Sequence, residues 1–212
     1  DQFTCSDGLC IDLEKKCDKK FDCSDHSDEN ECKIFANTSP LDIDLPPPVD
    51  TNLTSVVVNI GLDSIINFDE VGMNFKAKFV LWTNWKDWRV SFYDLKKGLG
   101  MLNTKEMSQI WIPYLMFENG LDDENGLSTE FGQSTVLGVR RDEKHGFLIK
   151  DSLDEGRIFV NQSMHYSSWF VRQFSCGLGL HTYPFDRQNC QIKVRIPWAF
   201  QDFIELAPGE AY

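Results

Sequence analysis

Five of the seven cysteines fall within the first 32 residues, and the other two, Cys176 and Cys190, bracket residues 177–189. That distribution limits what the chain can fold into before any other feature does. The segment "FTCSDGLCIDLEKKCDKKFDCSDHSDENEC" has few apolar side chains beyond Phe3, Leu9, Ile11, Leu13 and Phe21, too few to bury a core. Units this small are held by disulfides or metal, and crowded cysteines point to disulfides made in an oxidising compartment. The acids Asp18, Asp22, Asp28 and Glu29 lie within twelve residues, where a hard cation such as calcium, which takes about six to eight oxygens, would want them. Sequons at Asn37, Asn52 and Asn161 agree with an extracellular glycoprotein.

The remaining composition excludes several functions. A net charge of -12 spread along the chain repels an anionic polymer, so nucleic acid is not an expected partner. His26, His145, His165 and His181 are isolated, and neither H-E-x-x-H nor G-x-S-x-G occurs, so an enzyme is not expected. The longest apolar run, around "IWIPYLMF", is far below the ~18 residues of a membrane span.

After the cysteine-rich segment, residues 34–50 include a Pro-Pro-Pro run that favours an extended linker. Beyond it the pattern has period two. Met73, Phe75, Ala77, Phe79 and Leu81 point one way, and Asn74, Lys76 and Lys78 the other, as a half-buried strand requires. Ile192, Val194 and Ile196 alternate with Gln191, Lys193 and Arg195. Short strands with Gly- and Asp-rich turns predict a mainly β chain built as an antiparallel β-sandwich. The polar face of the first strand ends at Trp82, an indole placed toward solvent as a contact surface or as local packing. A disulfide closing about fifteen residues between Cys176 and Cys190 would restrict the unfolded chain by roughly 3 kcal/mol. Tyr183, Pro184, Phe185 and Asp186 inside it predict a stiff, aromatic protrusion suited to docking on another surface.

Two resemblances follow from these motifs. F-x-C, C-I, C-D-x-x-x-D-C and S-D-E-x-x-C resemble the low-density-lipoprotein receptor class A module over residues 1–33. The resemblance implies bridges Cys5–Cys23 and Cys17–Cys32, with Cys10 paired to a cysteine upstream of Asp1. It implies calcium on the side chains of Asp18, Asp22, Asp28 and Glu29 and on the carbonyls of Lys15 and Lys20. Lys15 stands where the family usually has an aromatic, so a calcium-rigidified spacer or docking module is expected rather than capture of basic ligands.

Cys-x13-Cys enclosing Y-P-F-D-x-Q-x-C resembles the signature of the Cys-loop receptors, the pentameric ligand-gated ion channels. "WKDWRV" with Trp85, Asp87 and Arg89, "IWIPYLMFEN" with Trp111, Pro113 and Asn119, and "INFDEVG" are similar to further motifs of that family, in the same order. The resemblance implies that residues 51–212 form the extracellular ligand-binding domain, immunoglobulin-like, in a homo- or hetero-pentamer. It also implies a small-molecule agonist bound between subunits. Phe68, Asp69 and Glu70, with Tyr183 to Asp186, become the membrane-facing coupling loops, stiffened by the disulfide and proline to transmit a small displacement. The implied ligand contacts are Trp82, Met116, Glu118, His165, Ser167, Trp198 and Phe200, with a cationic ligand favoured if Glu118 points inward. Strict alternation buries Trp198 beside Ile196, whereas a bulge at Pro197 re-aims it outward. The family domain continues past the position of Tyr212 with a capping hairpin and membrane helices. The alternatives are a secreted ligand-binding protein of the same fold and a calcium-dependent adhesion or scaffold protein.

Overall fold

The computed structural model describes residues 2–18, 20–30, 32, 34–36, 43–48, 53–93, 95, 99–121, 133–141, 147–150, 157–179, 185 and 187–209. In chain order the strands are β1 Gln2–Thr4, β2 Cys10–Asp12, β3 Thr54–Asp69, β4 Asn74–Lys86, β5 Ser91–Tyr93, β6 Leu99–Met101, β7 Met116–Phe117, β8 Gln133–Arg140, β9 Phe147–Lys150, β10 Arg157–Val160, β11 Ser163–Ser175, β12 Val194–Arg195 and β13 Ile204–Pro208; one helical turn, α1, spans Thr104–Met107. The chain divides into two compact units, residues 1–40, 87–100 and 140–162, and residues 41–86, 101–139 and 163–212.

The first unit opens with the β1–β2 hairpin, which pairs Phe3 with Ile11. Its core is small, Cys5, Ile11 and Cys23 with Phe3 against them. Disulfides therefore carry much of its organisation, joining Cys5 to Cys23 and Cys17 to Cys32. Cys10 is exposed and has no disulfide partner among the described residues. The rest of the unit is an antiparallel sheet in the order β5-β10-β9, with Phe92 opposite Phe159. Between module and sheet lie residues 34–36, whose Phe35 bridges Phe92.

The second unit holds a six-stranded sheet in the order β13-β3-β4-β11-β8-β6 and a short ribbon of β12 on β7. β4 and β11 pair without interruption from Asn74↔Ser175 to Lys86↔Ser163. One face of this pair buries Phe75, Ala77, Phe79 and Leu81 with Phe170 and Phe174. Phe117 of the ribbon stands edge-on to Phe79, 5.4 Å away, and Leu115, Ile192 and Val194 pack on the same cluster. Two layers thus meet through aromatic rings, the sandwich-like arrangement that the alternating pattern predicts.

Two departures from the pattern have physical causes. Met73 sits outside the strand at φ +50 in the turn before β4, so it is exposed and not in the core stripe. The β13–β3 pair is parallel, Ile204↔Thr54 to Pro208↔Val58, within a sandwich expected to be antiparallel. β3 itself carries register shifts between Leu62 and Ser64 and between Ile65 and Asn67. Beyond Val58, and on the side away from β4, β3 has no strand partner among the described residues. Its inward residues Leu62, Ile65 and Phe68 stay exposed.

Candidate functional site

The outer face of the β3–β4–β11 sheet collects one group of implied contacts. Trp82 pairs with Ser167 on β11 and Asn59 on β3, and His165 lies opposite Asn84, one position along the same face. Trp82, Ser167 and His165 are therefore neighbours. The Trp82 ring lies across β3 above Gly61, where an added Cβ would sit 2.7 Å from Cη2 and Cζ3 of the indole. Only glycine leaves room for this. Trp82 remains 42% exposed, an aromatic plane open to a ligand, while Val80, two positions earlier, is buried. Beside it Lys78 reaches over Trp169, 5.0 Å from the ring centroid, and lies 3.3 Å from Asp63.

A second group sits on the ribbon. Met116 of β7 pairs with Arg195 of β12 and is buried, which gives it a packing position; Glu118 is exposed, and its amide donates to Lys193 O at 2.9 Å. After β12 the chain does not continue as a strand. Pro197 caps a 3-10 turn over Trp198–Phe200, which puts Ile196 in the core and leaves Trp198 81% exposed. Of the two placements open for Trp198, the structure has the outward one. Phe200 is half-buried.

Asn119, which the sequence motif named without a role, ties these parts together. Its Nδ2 donates to Ser175 O at 3.0 Å and to Gln191 O at 2.8 Å, and its Oδ1 accepts from Lys193 N at 3.0 Å. Ser175 and Gln191 flank the two cysteines of the Cys176–Cys190 disulfide, so one amide clasps both arms of the stapled loop. Within the loop, Gln188 closes a second ring with Gly179, accepting from its N–H at 3.1 Å and donating to its carbonyl at 3.3 Å. Phe185 is 90% exposed; Tyr183, Pro184 and Asp186 lie outside the described residues. The turn after β3 meets the staple directly, because Cys176 N donates to Met73 O at 2.8 Å. In that turn Asp69 accepts from Gly72 N at 2.9 Å, and Phe68 and Glu70 are exposed. An apolar groove of about 300 Å³ runs between Leu62, Ile65 and Phe68 on one side and Cys190 and Ile192 on the other. It lies away from Trp82, on the opposite face of the sheet.

Trp85 and Trp111 meet edge to face, 6.1 Å apart, in the core. Asp87 is fully buried and receives Arg89 through Nε at 2.9 Å and Nη2 at 2.7 Å. The W-x-D-x-R motif thus forms a buried, ion-paired turn.

In the module, Asp28 is fully buried. Its carbonyl accepts from Cys17 N at 2.9 Å and its Oδ2 from Asp22 N at 2.7 Å, but Oδ1 has no hydrogen-bond partner among the described residues. A buried carboxylate oxygen without a donor is costly, and a calcium ion would supply what this oxygen lacks, although no three of Asp18, Asp22, Asp28 and Glu29 converge within 4.8 Å of one another. Asp22 Oδ1 meets Lys15 Nζ at 2.8 Å, a contact that holds the lysine above its ordinary pKa, and Asp18 Oδ1 accepts from Lys20 N at 2.9 Å. Glu29 is half-buried beside Asp28 in the Ser27–Glu29 turn. Cys5, Cys23 and Asp25 do converge within 4.8 Å, but the two sulfurs are bonded to each other and hold no thiolate for a metal. Asn161, at φ +55 after β10, is half-buried; Asn37 and Asn52 lie outside the described residues.

The low-density lipoprotein receptor domain class A profile matches residues 1–32. A glutamate-gated chloride channel of Drosophila melanogaster is 24% identical over 71% of this chain and 29% of its own length. The theta subunit of a mouse gamma-aminobutyric acid receptor is 23% identical over 74% of this chain and 21% of its own. The gamma-1 subunit of the rat receptor is 24% identical over 70% and 27%. The chain thus spans under a third of the length of these curated relatives, which are channel subunits and not enzymes. Among the described residues no helix is long and apolar enough to cross a membrane. The neurotransmitter-gated ion-channel ligand binding domain profile matches residues 38–206, and over that span this chain belongs to the family of neurotransmitter-gated ion-channel ligand-binding domains.

Proposed function

We propose that residues 51–212 form the extracellular agonist-binding domain of a pentameric ligand-gated channel, with agonist held between subunits. The observation that carries this reading is the convergence of both expected coupling segments: the turn after β3 and the Cys176–Cys190 loop are joined by the Cys176–Met73 hydrogen bond. Force on either segment moves the other. The exposed rings of Trp82 and Trp198 supply flat, electron-rich faces for a positively charged group. The relatives are named for glutamate and gamma-aminobutyric acid, small molecules that carry an ammonium group. The agonist is therefore a small amine or amino acid, its ammonium on an indole and near Glu118, with Ser167 and His165 offering polar contacts beside Trp82. The pore and its membrane segments belong to parts of the protein beyond these residues.

Calcium belongs to the N-terminal module, on Asp18, Asp22, Asp28 and Glu29 with the carbonyls of Lys15 and Lys20. The ion would supply fixed positive charge that organises a unit with little core; the chain's own contribution is the buried Asp28 carboxylate.

The test is agonist-evoked current and equilibrium binding on the assembled receptor across a panel of small amines and amino acids. Trp82→Ala and Trp198→Ala should each weaken binding by about tenfold or more, the scale of a desolvated cation–π contact. Unchanged binding in both variants removes the pocket assignment, and a wild-type receptor that no such ligand binds removes the reading.

A further inference from the structure

Only one residue separates Cys32, the last cysteine of the module, from Ile34, and the chain at once becomes part of a sheet. Ile34 O accepts from Tyr93 N at 2.8 Å, Ala36 N donates to Ser91 O at 2.8 Å, and between them Phe35 bridges Phe92, with ring centroids 5.7 Å apart. Residues 34–36 are a further edge on β5, and Phe92, against which they pack, is fully buried. The module is therefore attached to the β5–β10–β9 sheet by an added strand and not through a free tether. Within the module, the order of that attachment leads back to one place. Cys32 is bonded to Cys17, and Cys17 N is held by Asp28 O. The Oδ1 that lacks a partner among the described residues belongs to the same Asp28.

We propose that the module is a calcium-set clamp on the β5–β10–β9 sheet, giving this receptor domain a calcium-sensing function. The inference rests on the calcium reading above and extends it to residues 34–36. With the ion bound, Asp28, Cys17 and Cys32 are fixed, and Ile34–Ala36 are presented to β5 in the extended form that pairing needs. Without it, the module's small core cannot hold that end of the chain. The added strand then loses its anchor and must be ordered afresh each time it pairs.

Hydrogen exchange on the full chain, with and without ~1 mM calcium, decides this. Peptides covering 34–36 and 91–93 should exchange about tenfold or more faster when the ion is chelated, while peptides in β4 and β11 stay unchanged. Asp28→Asn should reproduce the chelated state in saturating calcium. Phe35→Ala should keep calcium-dependent protection around Cys17 but lose it at 91–93. If calcium protects the module and leaves 34–36 and 91–93 unchanged, the clamp is overturned while the calcium site stands. If calcium alters no peptide of the module, the calcium reading fails and the clamp with it.

Discussion

Asp87 and Arg89 illustrate how much a single pair can demand of its surroundings. The carboxylate is fully buried and fixed by two guanidinium bonds and by Arg89 N at 3.0 Å. Removing one partner of such a pair leaves a charge without compensation, so Asp87→Ala should destabilise the domain by about 3–5 kcal/mol in chemical unfolding. Both residues were legible in the sequence as a motif, but their role was not, because spacing cannot tell a buried ion pair from a surface one. Gly61 was not legible at all: nothing in a lone glycine announces that an indole twenty-one residues away lies upon it. Gly61→Ala should push Trp82 off β3 and weaken agonist binding about as much as Trp82→Ala, while unfolding stability shifts by about 1 kcal/mol or less. Tyr166 gives a pH effect. Burial raises its phenol above the ordinary value, opposed by hydrogen bonds to Ser168 and Thr135. The unfolded chain therefore ionises this group first; the stability it contributes is complete below the ordinary phenol pKa and is lost as pH rises toward the folded value. Tyr166→Phe should flatten the alkaline limb of a stability–pH curve.

Elements were read best where two periodicities agreed. The alternation in β4 placed Phe75, Ala77, Phe79 and Leu81 correctly, because a strand buried on one face must repeat every second residue. It failed at two positions. Met73 leaves the strand through a left-handed turn, and Val80 is buried on the nominally polar face, a cross-strand effect of Trp169 opposite it. The Cys176–Cys190 staple was foreseen as a bridge, but its second clasp was not: Asn119 is distant in sequence from both arms, and only the fold brings its amide to Ser175 and Gln191. Asn119→Ala should loosen the loop, seen as faster exchange around Cys176 and Cys190, and lower the maximal agonist response more than agonist affinity. Loss of affinity with full response would place Asn119 in the pocket instead. Replacing both cysteines by serine should cost roughly 3 kcal/mol.

For the whole molecule, composition predicted a disulfide-rich head and a β body, and both are present, one in each compact unit together with further strands. What composition could not anticipate is that β5, β9 and β10 group with the head and not with the large sheet. Sequence order suggests beads on a string, whereas strand pairing is non-local and regroups them. Past Val58 the outer border of β3 has no strand partner among the described residues, and its inward Leu62, Ile65 and Phe68 are exposed along the groove they share with Cys190 and Ile192. A long bare border of that kind templates chain-on-chain growth, and here the two register slips are the main restraint, since bulges twist an edge away from a flat mate. Handled in isolation, the domain should therefore precipitate through this border first. Charged substitutions at Leu62 and Ile65 would raise its solubility limit without touching the tryptophan face on the other side.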